Sequence, residues 1–274
     1  MIIWLASYPK SGNTWVRSIL SSLFFSEDGS IDFKHLNSFP KYPNPEHLIE
    51  FTKNLHSFDE MSKYWLASQE KLNLNQKTNF LKTHHLLAAW KNNNFTNSKN
   101  TLGAIYIVRD PRDITLSYSN FANNLNIKKT IKRITSKELI CLVTKNNLFD
   151  VEILGSWKLN YTSWRDGMHN MPRLIIKYED LLHDTYQTVH KLIKFLSKLT
   201  NCNIDKKRIE FAINESNFER LKNLEKKIGF HESDNESIFF NKGQSGQWKK
   251  LLSKEDSSFI TKEFKNEMEE LGYI

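Results

Sequence analysis

Short apolar runs and longer stretches of helical period alternate along the chain. The runs that predict buried strands are Ile2 to Ser7, Asn79 to Lys82, Thr101 to Val108 and Arg173 to Lys177. Apolar residues at helical spacing predict helices from Thr14 to about 25, over 59–73, from Pro111, over 151–164, and over about 184–199, 205–214 and 216–226. Strands that alternate with helices predict an α/β fold with a central parallel β-sheet and helices on both of its faces.

Local signals refine these boundaries. Pro111 suits the first position of a helix, and Ser253 to Asp256 resembles a capping box that opens a final helix. Residues 37–46 carry three prolines and predict a loop, while the polar, lysine-rich residues 124–150 predict a surface excursion. No internal repeat or linker is visible. We therefore predict one domain over residues 1–274, with surface excursions at about 28–75, 118–152 and 228–240.

The composition narrows the choice of partners and of compartment. The 274 residues are 39% apolar and 12% aromatic, which is enough for a sizeable core, and the net charge is +8. A positive charge favours anionic partners, but the lysines are dispersed, so we predict no nucleic-acid partner. Two cysteines neither form a disulfide framework nor match a zinc spacing, which predicts the cytoplasm. The apolar N-terminal run is too short for a signal peptide or an anchor, so we predict no stable membrane insertion.

A loop that binds phosphate is predicted between the first strand and the first helix. Residues 3–15 read IWLASYPKSGNTW, so a loop containing Lys10 and Gly12 leads into a helix N-terminus, where backbone N–H groups favour an anion. The nucleotide triphosphate pattern G-x-x-x-x-G-K-[ST] would need lysine where Asn13 stands. The loop thus predicts phosphate binding without the usual magnesium–nucleotide arrangement. Trp15 either offers an aromatic face to a purine or packs in the core.

A second phosphate element follows the strand that ends at Val108. Arg109 stands at the strand end, and Ser117 lies about two turns into the next helix. Arginine binds phosphate through two parallel hydrogen bonds, so both side chains could reach one phosphate group. A surface Arg–Asp pair and a serine on a helix face are the alternative interpretation. Two phosphate sites would suit a nucleotide phosphorylated at its 5′ and 3′ positions.

Five segments of the chain follow each other in a recognisable order: SYPKSGNTW at 7–15, Lys82-Thr83-His84, VRDPRDITLSY at 108–118, Tyr178 to Leu181, and Lys242-Gly243 with Gly246 and Trp248-Lys249. In these segments and in their order, the chain resembles the cytosolic-type sulfotransferase family, whose sulfuryl donor is 3′-phosphoadenylyl sulfate (PAPS). The resemblance implies a PAPS-dependent sulfotransferase with a fold like that of P-loop nucleotide hydrolases. The product nucleotide would be adenosine 3′,5′-bisphosphate (PAP).

The resemblance also implies a role for each matched position. Lys10 would stabilise charge on the bridging oxygen as the sulfuryl group leaves. The implied contacts are Ser11, Gly12, Asn13 and Thr14 with the 5′-phosphate, Trp15 with adenine, Arg109, Ser117, Lys242 and Gly243 with the 3′-phosphate, and Tyr178, Ser216 and Phe218 with the adenine end.

His84 is the predicted catalytic base. An imidazole titrates near neutrality, which suits a general base, but the residues alone do not choose between His84 and His85. On an extended strand the two would face opposite ways, and the match to Lys-Thr-His selects His84. Lys82, two residues earlier, would add positive potential over the transferring group. No metal site is predicted.

Departures from the family pattern leave alternatives open. Asn241 stands where many members have an arginine, which would remove a contact with the 3′-phosphate. The family's C-terminal dimer motif is not recognisable after Lys249, and the sequence leaves the oligomeric state open. A P-loop kinase of small molecules and a non-catalytic nucleotide-binding relative are the alternative functions. The acceptor would carry a hydroxyl or an amine on a small molecule, a lipid or a carbohydrate.

Overall fold

The structure is a computed structural model of the 274-residue chain. It describes residues 1–121, 126–138, 140–145, 148–230, 232 and 238–274.

Four strands form the central sheet, and four others form two separate two-stranded sheets. The strands are β1 (Ile2–Ser7), β2 (Asn79–Thr83), β3 (Ala89–Trp90), β4 (Asn93–Asn94), β5 (Thr101–Val108), β6 (Ile140–Lys145), β7 (Leu148–Ile153) and β8 (Arg173–Lys177). The central sheet has the order β2-β1-β5-β8, and β1 pairs in parallel with both β2 and β5. The pairs β3–β4 and β6–β7 are antiparallel. The four predicted strands and the predicted α/β class with a parallel sheet are confirmed.

Helices connect these strands. They are α1 (Asn13–Phe24), α2 (Phe58–Ser62), α3 (Trp65–Asn73), α4 (Pro111–Phe121), α5 (Ile127–Thr135), α6 (Trp157–Asp166), α7 (Tyr178–His183), α8 (Thr185–Thr200), α9 (Lys206–Glu215), α10 (Phe218–Ile228), α11 (Trp248–Leu251), α12 (Lys254–Glu263) and α13 (Lys265–Glu270). Short 3-10 helices cover Phe33–Ser38 and Pro45–His47. The predicted helix start at Pro111 is confirmed. Ser253 caps α12 as predicted, because its side chain accepts a hydrogen bond from the N–H of Asp256.

The predicted helix over 151–164 is wrong in its first part. Residues 151–153 belong to β7, and α6 begins only at Trp157, where the Ser156 side chain caps it. Gly155, at φ 59°, separates the two elements. The predicted surface excursion over 124–150 instead contains α5 and most of the β6–β7 hairpin among its described residues.

The predicted helix over 59–73 consists of two helices. The N–H of Lys63 donates to the carbonyl of Glu60, three residues back, and such tight bonds close the last turn of a helix. This turn ends α2, and α3 begins at Trp65. The predicted helix over 216–226 starts two residues later, at Phe218.

The chain groups into two compact units. The first unit comprises Met1–Tyr8, Phe39–Val108 and Ile134–Ile175, and the second comprises Pro9–Ser38, Arg109–Arg133 and Ile176–Ile274. Large buried aromatic side chains fill the first unit, among them Trp4, Trp65, Trp157 and Trp164. The second unit has an apolar cluster of Phe33, Leu36, Leu221, Phe230 and Phe240, against which Trp15 and Phe218 pack. Burying one such side chain stabilises a fold by about 1.5–3 kcal/mol. The single-domain description stays a prediction.

Within the part of the chain that the structure describes, none of the helices has the length and apolar character needed to cross a membrane.

Candidate active site

The loop between β1 and α1 has the backbone of an anion-binding turn. Lys10 has a φ of 68° and Gly12 a φ of 100°, so both occupy the left-handed region. A non-glycine residue in this region is strained, and such strain concentrates at functional sites. Gly12 is the N-cap residue of α1 and has no side chain that could cap the helix, and the first N–H groups of a helix have no partner inside it. The loop therefore brings the first backbone N–H groups of α1 and the positive end of its dipole to one place.

Gly12 and Ser11 shape this loop. A Cβ on Gly12 would lie 2.6 Å from Cδ2 of Tyr178, so only glycine fits beneath that ring. Ser11 is buried, and its hydroxyl oxygen finds no hydrogen-bond partner among the described residues. A buried polar group without a partner is costly. Its position within the loop suits a polar ligand.

Arg109 links three parts of the second unit. Its guanidinium donates to the carbonyl of Lys10 at 3.1 Å and to the carbonyl of Gln244 at 2.9 Å. It also lies over the ring of Tyr178, 4.2 Å from the ring centroid. Its Nε is buried and has no partner within the described residues. Arg109 thus connects the loop between β1 and α1 to the segment after Lys242, a connection that the sequence does not predict.

The predicted adenine side of the site is aromatic. The indole N–H of Trp15 donates to the carbonyl of Ser216 at 2.8 Å, and its ring meets that of Tyr178 edge-on at 5.8 Å. The hydroxyl of Ser216 is buried without a hydrogen-bond partner in the described chain. Asn217 caps α10, which places Phe218 at the start of that helix. Trp15, Ser216 and Phe218 therefore lie in one neighbourhood, and their contact with adenine stays a prediction.

The segment around Lys242 and Gly243 is held by its backbone. Gly243 has a φ of 60°, and a Cβ there would lie 2.4 Å from Cδ2 of Phe218. Further along, the carboxylate of Asp113 accepts hydrogen bonds from the N–H groups of Gly246 and Trp248. Burial raises the pKa of Asp113, while these two bonds lower it. Asp113 was not predicted to belong to the site.

Three of the predicted phosphate-binding side chains lie in different surroundings. Lys242 is exposed, as is the neighbouring Asn241, and Ser117 is partly buried on α4. The ammonium of Lys10 lies over the ring of Phe239, 4.3 Å from the ring centroid. Asn13 and Thr14 are buried in the first turn of α1. All of the predicted nucleotide-binding residues belong to the second unit.

His84 and Lys82 belong to the first unit, at the end of β2. His84 follows the last strand residue, Thr83, and its ring is partly buried. Its Nδ1 lies 2.7 Å from the carbonyl oxygen of Ser7, the last residue of β1. A carbonyl oxygen only accepts, so Nδ1 carries the hydrogen and the neutral ring keeps a lone pair on Nε2. Burial lowers the pKa of His84 to about 4, against the opposing effect of Glu152.

Two side chains that the sequence does not predict hold the backbone of His84. The carboxylate of Glu152 accepts the His84 N–H at 2.9 Å, and the side-chain amide of Asn160 donates to the His84 carbonyl at 2.9 Å. Burial raises the pKa of Glu152, but the Lys41 ammonium, 3.0 Å away, and His84 lower it by more, to about 2. These contacts join residues 68 and 76 positions apart along the chain, and no local pattern marks such a pairing.

His85 has a different environment. It is fully buried, its ring stacks on Phe95 at a centroid distance of 4.5 Å, and it meets Trp65 edge-on at 5.1 Å. Its Nδ1 lies 2.7 Å from the carbonyl oxygen of Leu86. The two neighbouring histidines thus differ in kind: His85 packs in the aromatic core of the first unit, and His84 does not.

Comparison with known proteins identifies the class. The sequence matches the sulfotransferase domain family over residues 2–272. It is 24% identical to an amine sulfotransferase of Oryctolagus cuniculus, over 98% of this chain and 81% of that protein. It is 27% identical to a flavonol 3-sulfotransferase of Flaveria bidentis, over 92% of this chain and 77% of that protein. The crystal structure of mouse sulfotransferase SULT7A1 complexed with PAP has a similar fold, with a TM-score of 0.63 at 18% identity, over 97% of this chain and 84% of that one.

The chain belongs to the sulfotransferase family, because the family match covers nearly all of its residues. The predicted family, fold and enzyme class, a PAPS-dependent sulfotransferase, are confirmed by this membership. Among the described residues, no group of three or more His, Cys, Asp or Glu is placed to hold a metal ion.

Proposed function

We propose that this enzyme moves the sulfuryl group of PAPS to a hydroxyl or amine of an acceptor, with His84 as the general base. The observation that carries this proposal is the hydrogen bond from Nδ1 of His84 to the carbonyl of Ser7. It fixes the tautomer with a free lone pair on Nε2, which is the atom that takes a proton. The low pKa of His84 keeps the ring neutral, and hence basic in form, at physiological pH.

The second unit has the residues that suit a nucleotide with two phosphates. Ser11, Ser216 and Arg109 each have a buried polar atom without a hydrogen-bond partner among the described residues, and each stands at a predicted contact. Gly12 and Gly243 have no Cβ, which lets aromatic rings approach their backbone closely. Ser11 to Thr14 would hold the 5′-phosphate, while Arg109, Ser117, Lys242 and Gly243 would hold the 3′-phosphate. Trp15, Tyr178, Ser216 and Phe218 would contact the adenine.

The transfer needs one proton acceptor and one source of positive charge. His84 takes the proton as the acceptor oxygen or nitrogen forms its bond to sulfur, and the bond between sulfur and the bridging phosphate oxygen breaks. Lys10 and Lys82 stabilise the negative charge that collects on that oxygen. Catalysis by residues in these roles is mainly positioning and electrostatic stabilisation. PAP and the sulfated acceptor are the products.

The acceptor class stays broad. Relatives of this chain include an amine sulfotransferase and a flavonol 3-sulfotransferase, so both nitrogen and oxygen nucleophiles occur among similar proteins. A small molecule, a lipid or a carbohydrate that carries such a group fits the proposed chemistry. The cytoplasmic location stays a prediction from the cysteine content.

The test is transfer of labelled sulfate from PAPS to pooled phenols, amines, hydroxysteroids and sugars. We expect labelled product with the wild-type protein and PAP formed in equal amount. A protein that binds PAP but labels no pool would support the non-catalytic alternative. Preference for magnesium–ATP over PAP in a binding titration would instead support a small-molecule kinase.

A further inference from the structure

Arg17 is a buried cation one turn after the phosphate loop. It lies on α1, and only 1% of its side chain is exposed. One guanidinium nitrogen donates to Oε1 of Glu232 at 2.8 Å, and the other donates to Oε2 at 2.7 Å. Glu232 therefore holds both arms of the guanidinium and neutralises its charge.

The same guanidinium also reaches Thr14. Its second nitrogen donates to Oγ1 of Thr14 at 3.0 Å. Residues three positions apart share one face of a helix, which brings Arg17 and Thr14 together. An arginine has only donors, so Oγ1 must accept, and the hydroxyl hydrogen of Thr14 has to point elsewhere. No acceptor for that hydrogen lies among the described residues.

We propose that Arg17, held by Glu232, is a positioning residue that orients the Thr14 hydroxyl as a donor to the 5′-phosphate. This inference rests on the proposed function, in which Thr14 contacts that phosphate. A threonine hydroxyl rotates freely and can either donate or accept, whereas an anion needs a donor. Because Glu232 cancels the charge of Arg17, the contribution of Arg17 is directional rather than a general attraction for anions.

Binding of two ligands distinguishes this role of Arg17 from a purely structural role. Adenosine 3′,5′-bisphosphate carries the 5′-phosphate, and adenosine 3′-monophosphate lacks it. We expect Arg17→Lys to weaken binding of the bisphosphate about tenfold, as for loss of one hydrogen bond to a charged group, and to leave the monophosphate affinity unchanged. Thr14→Val should have the same selective effect. The double variant should lose no more affinity for the bisphosphate than the weaker-binding single variant, since both substitutions act through one hydroxyl.

Further variants show whether a loss of binding is caused by a loss of folding. Glu232→Gln keeps one acceptor for the guanidinium and should weaken bisphosphate binding in the same direction but less. Arg208→Lys is the matched control, because Arg208 is another arginine of the same unit and donates to the backbone carbonyls of Ser22 and Ser26 without touching Thr14. We expect it to bind both ligands as the wild type does. Isothermal titration calorimetry gives each affinity, and circular dichroism checks each fold.

The outcomes distinguish the two proposals. If the wild type binds both ligands equally, the 5′-phosphate is not held by this loop, and the proposed function and the role of Arg17 both fail. If the wild type prefers the bisphosphate but Arg17→Lys weakens both ligands alike, only the role of Arg17 fails. The role of Arg17 also fails if the affinity losses of Arg17→Lys and Thr14→Val multiply in the double variant.

Discussion

The two adjacent histidines show how far single side chains can be assigned from their surroundings. The resemblance to the sulfotransferases selects His84, while the residues alone leave His84 and His85 equal. The structure separates them by their contacts, since His85 stacks on Phe95 and His84 bonds to the Ser7 carbonyl. The role of His84 as the base stays a proposal, and it makes two measurable claims.

Replacing His84 by alanine should lower kcat by about 10²–10⁴-fold, the usual contribution of a general base. PAP affinity should change little, since the nucleotide-binding residues proposed here belong to the other unit. His169→Ala is a suitable control, because His169 is an exposed histidine of the same unit. Steady-state kinetics with a turned-over acceptor give the comparison. Equal rates for the His84 and His169 variants would show that another group takes the proton.

The pH dependence of kcat/KM should show the low pKa of His84. A base works when deprotonated, so activity falls as the pH drops through its pKa, which is about 4 here. An unperturbed histidine with a pKa of about 6.5 would be only about one-tenth neutral at pH 5.5. We therefore expect near-full kcat/KM at pH 5.5, measured with the fold monitored in parallel. A decline centred near 6.5 would contradict the effect of burial.

At the scale of elements, the spacing of apolar residues predicts where strands and helices lie when it fits only one of the two. The strands of the central sheet are short apolar runs, and the sequence places all four of them. The start of the helix predicted over 151–164 is wrong because residues 151–153 are apolar at both ends and fit a helix as well as a strand. The Gly155-Ser156 pair was the signal for a helix start, since serine is a favoured N-cap. Glu152 and Asn160 could not be predicted for the site, because tertiary pairing alone brings them to His84.

The segment after Phe240 offers a prediction at this scale. Gly243→Ala should cost about 1–2 kcal/mol of folding free energy for the left-handed backbone, and it should also weaken PAP binding because the new Cβ displaces Phe218. Gly272→Ala is the control, since Gly272 has a φ of 69° and open space around it. Denaturant unfolding and PAP titration measure the two effects. An unchanged PAP affinity in Gly243→Ala would show that Phe218 does not contact the nucleotide.

At the scale of the whole molecule, family membership sets the reaction class, and the acceptor stays open. The motifs proposed to bind the phosphates are short and continuous, so they can be read from the sequence. The predicted surface excursions at about 118–152 and 228–240 have weak periodicity, and residues 122–125 and 233–237 within them lie outside the described structure. If such segments contribute the acceptor contacts, no spacing rule relates their side chains to each other, so the sequence does not predict the acceptor.

Nucleotide binding should raise the thermal stability. PAP at about one hundred times its Kd would add about 2.7 kcal/mol and raise Tm by about 5–10 °C in a chain of this size. Magnesium–ATP at the same concentration should raise Tm less. Differential scanning calorimetry measures both shifts. A larger shift with magnesium–ATP would argue for the kinase alternative.

The placement of Trp15 gives the protein a fluorescent reporter of its own. The six other tryptophans have no proposed contact with the nucleotide. Trp4, Trp65, Trp157 and Trp164 are almost fully buried in the first unit, Trp90 belongs to the same unit, and the ring of Trp248 is covered by the guanidinium of Arg112. Trp15 is partly buried, and its indole is fixed by Ser216 where the adenine is proposed to stack. A base stacked on that indole would quench its emission. Donor binding and product release could then be followed in real time, without a label on the sulfate or a coloured acceptor.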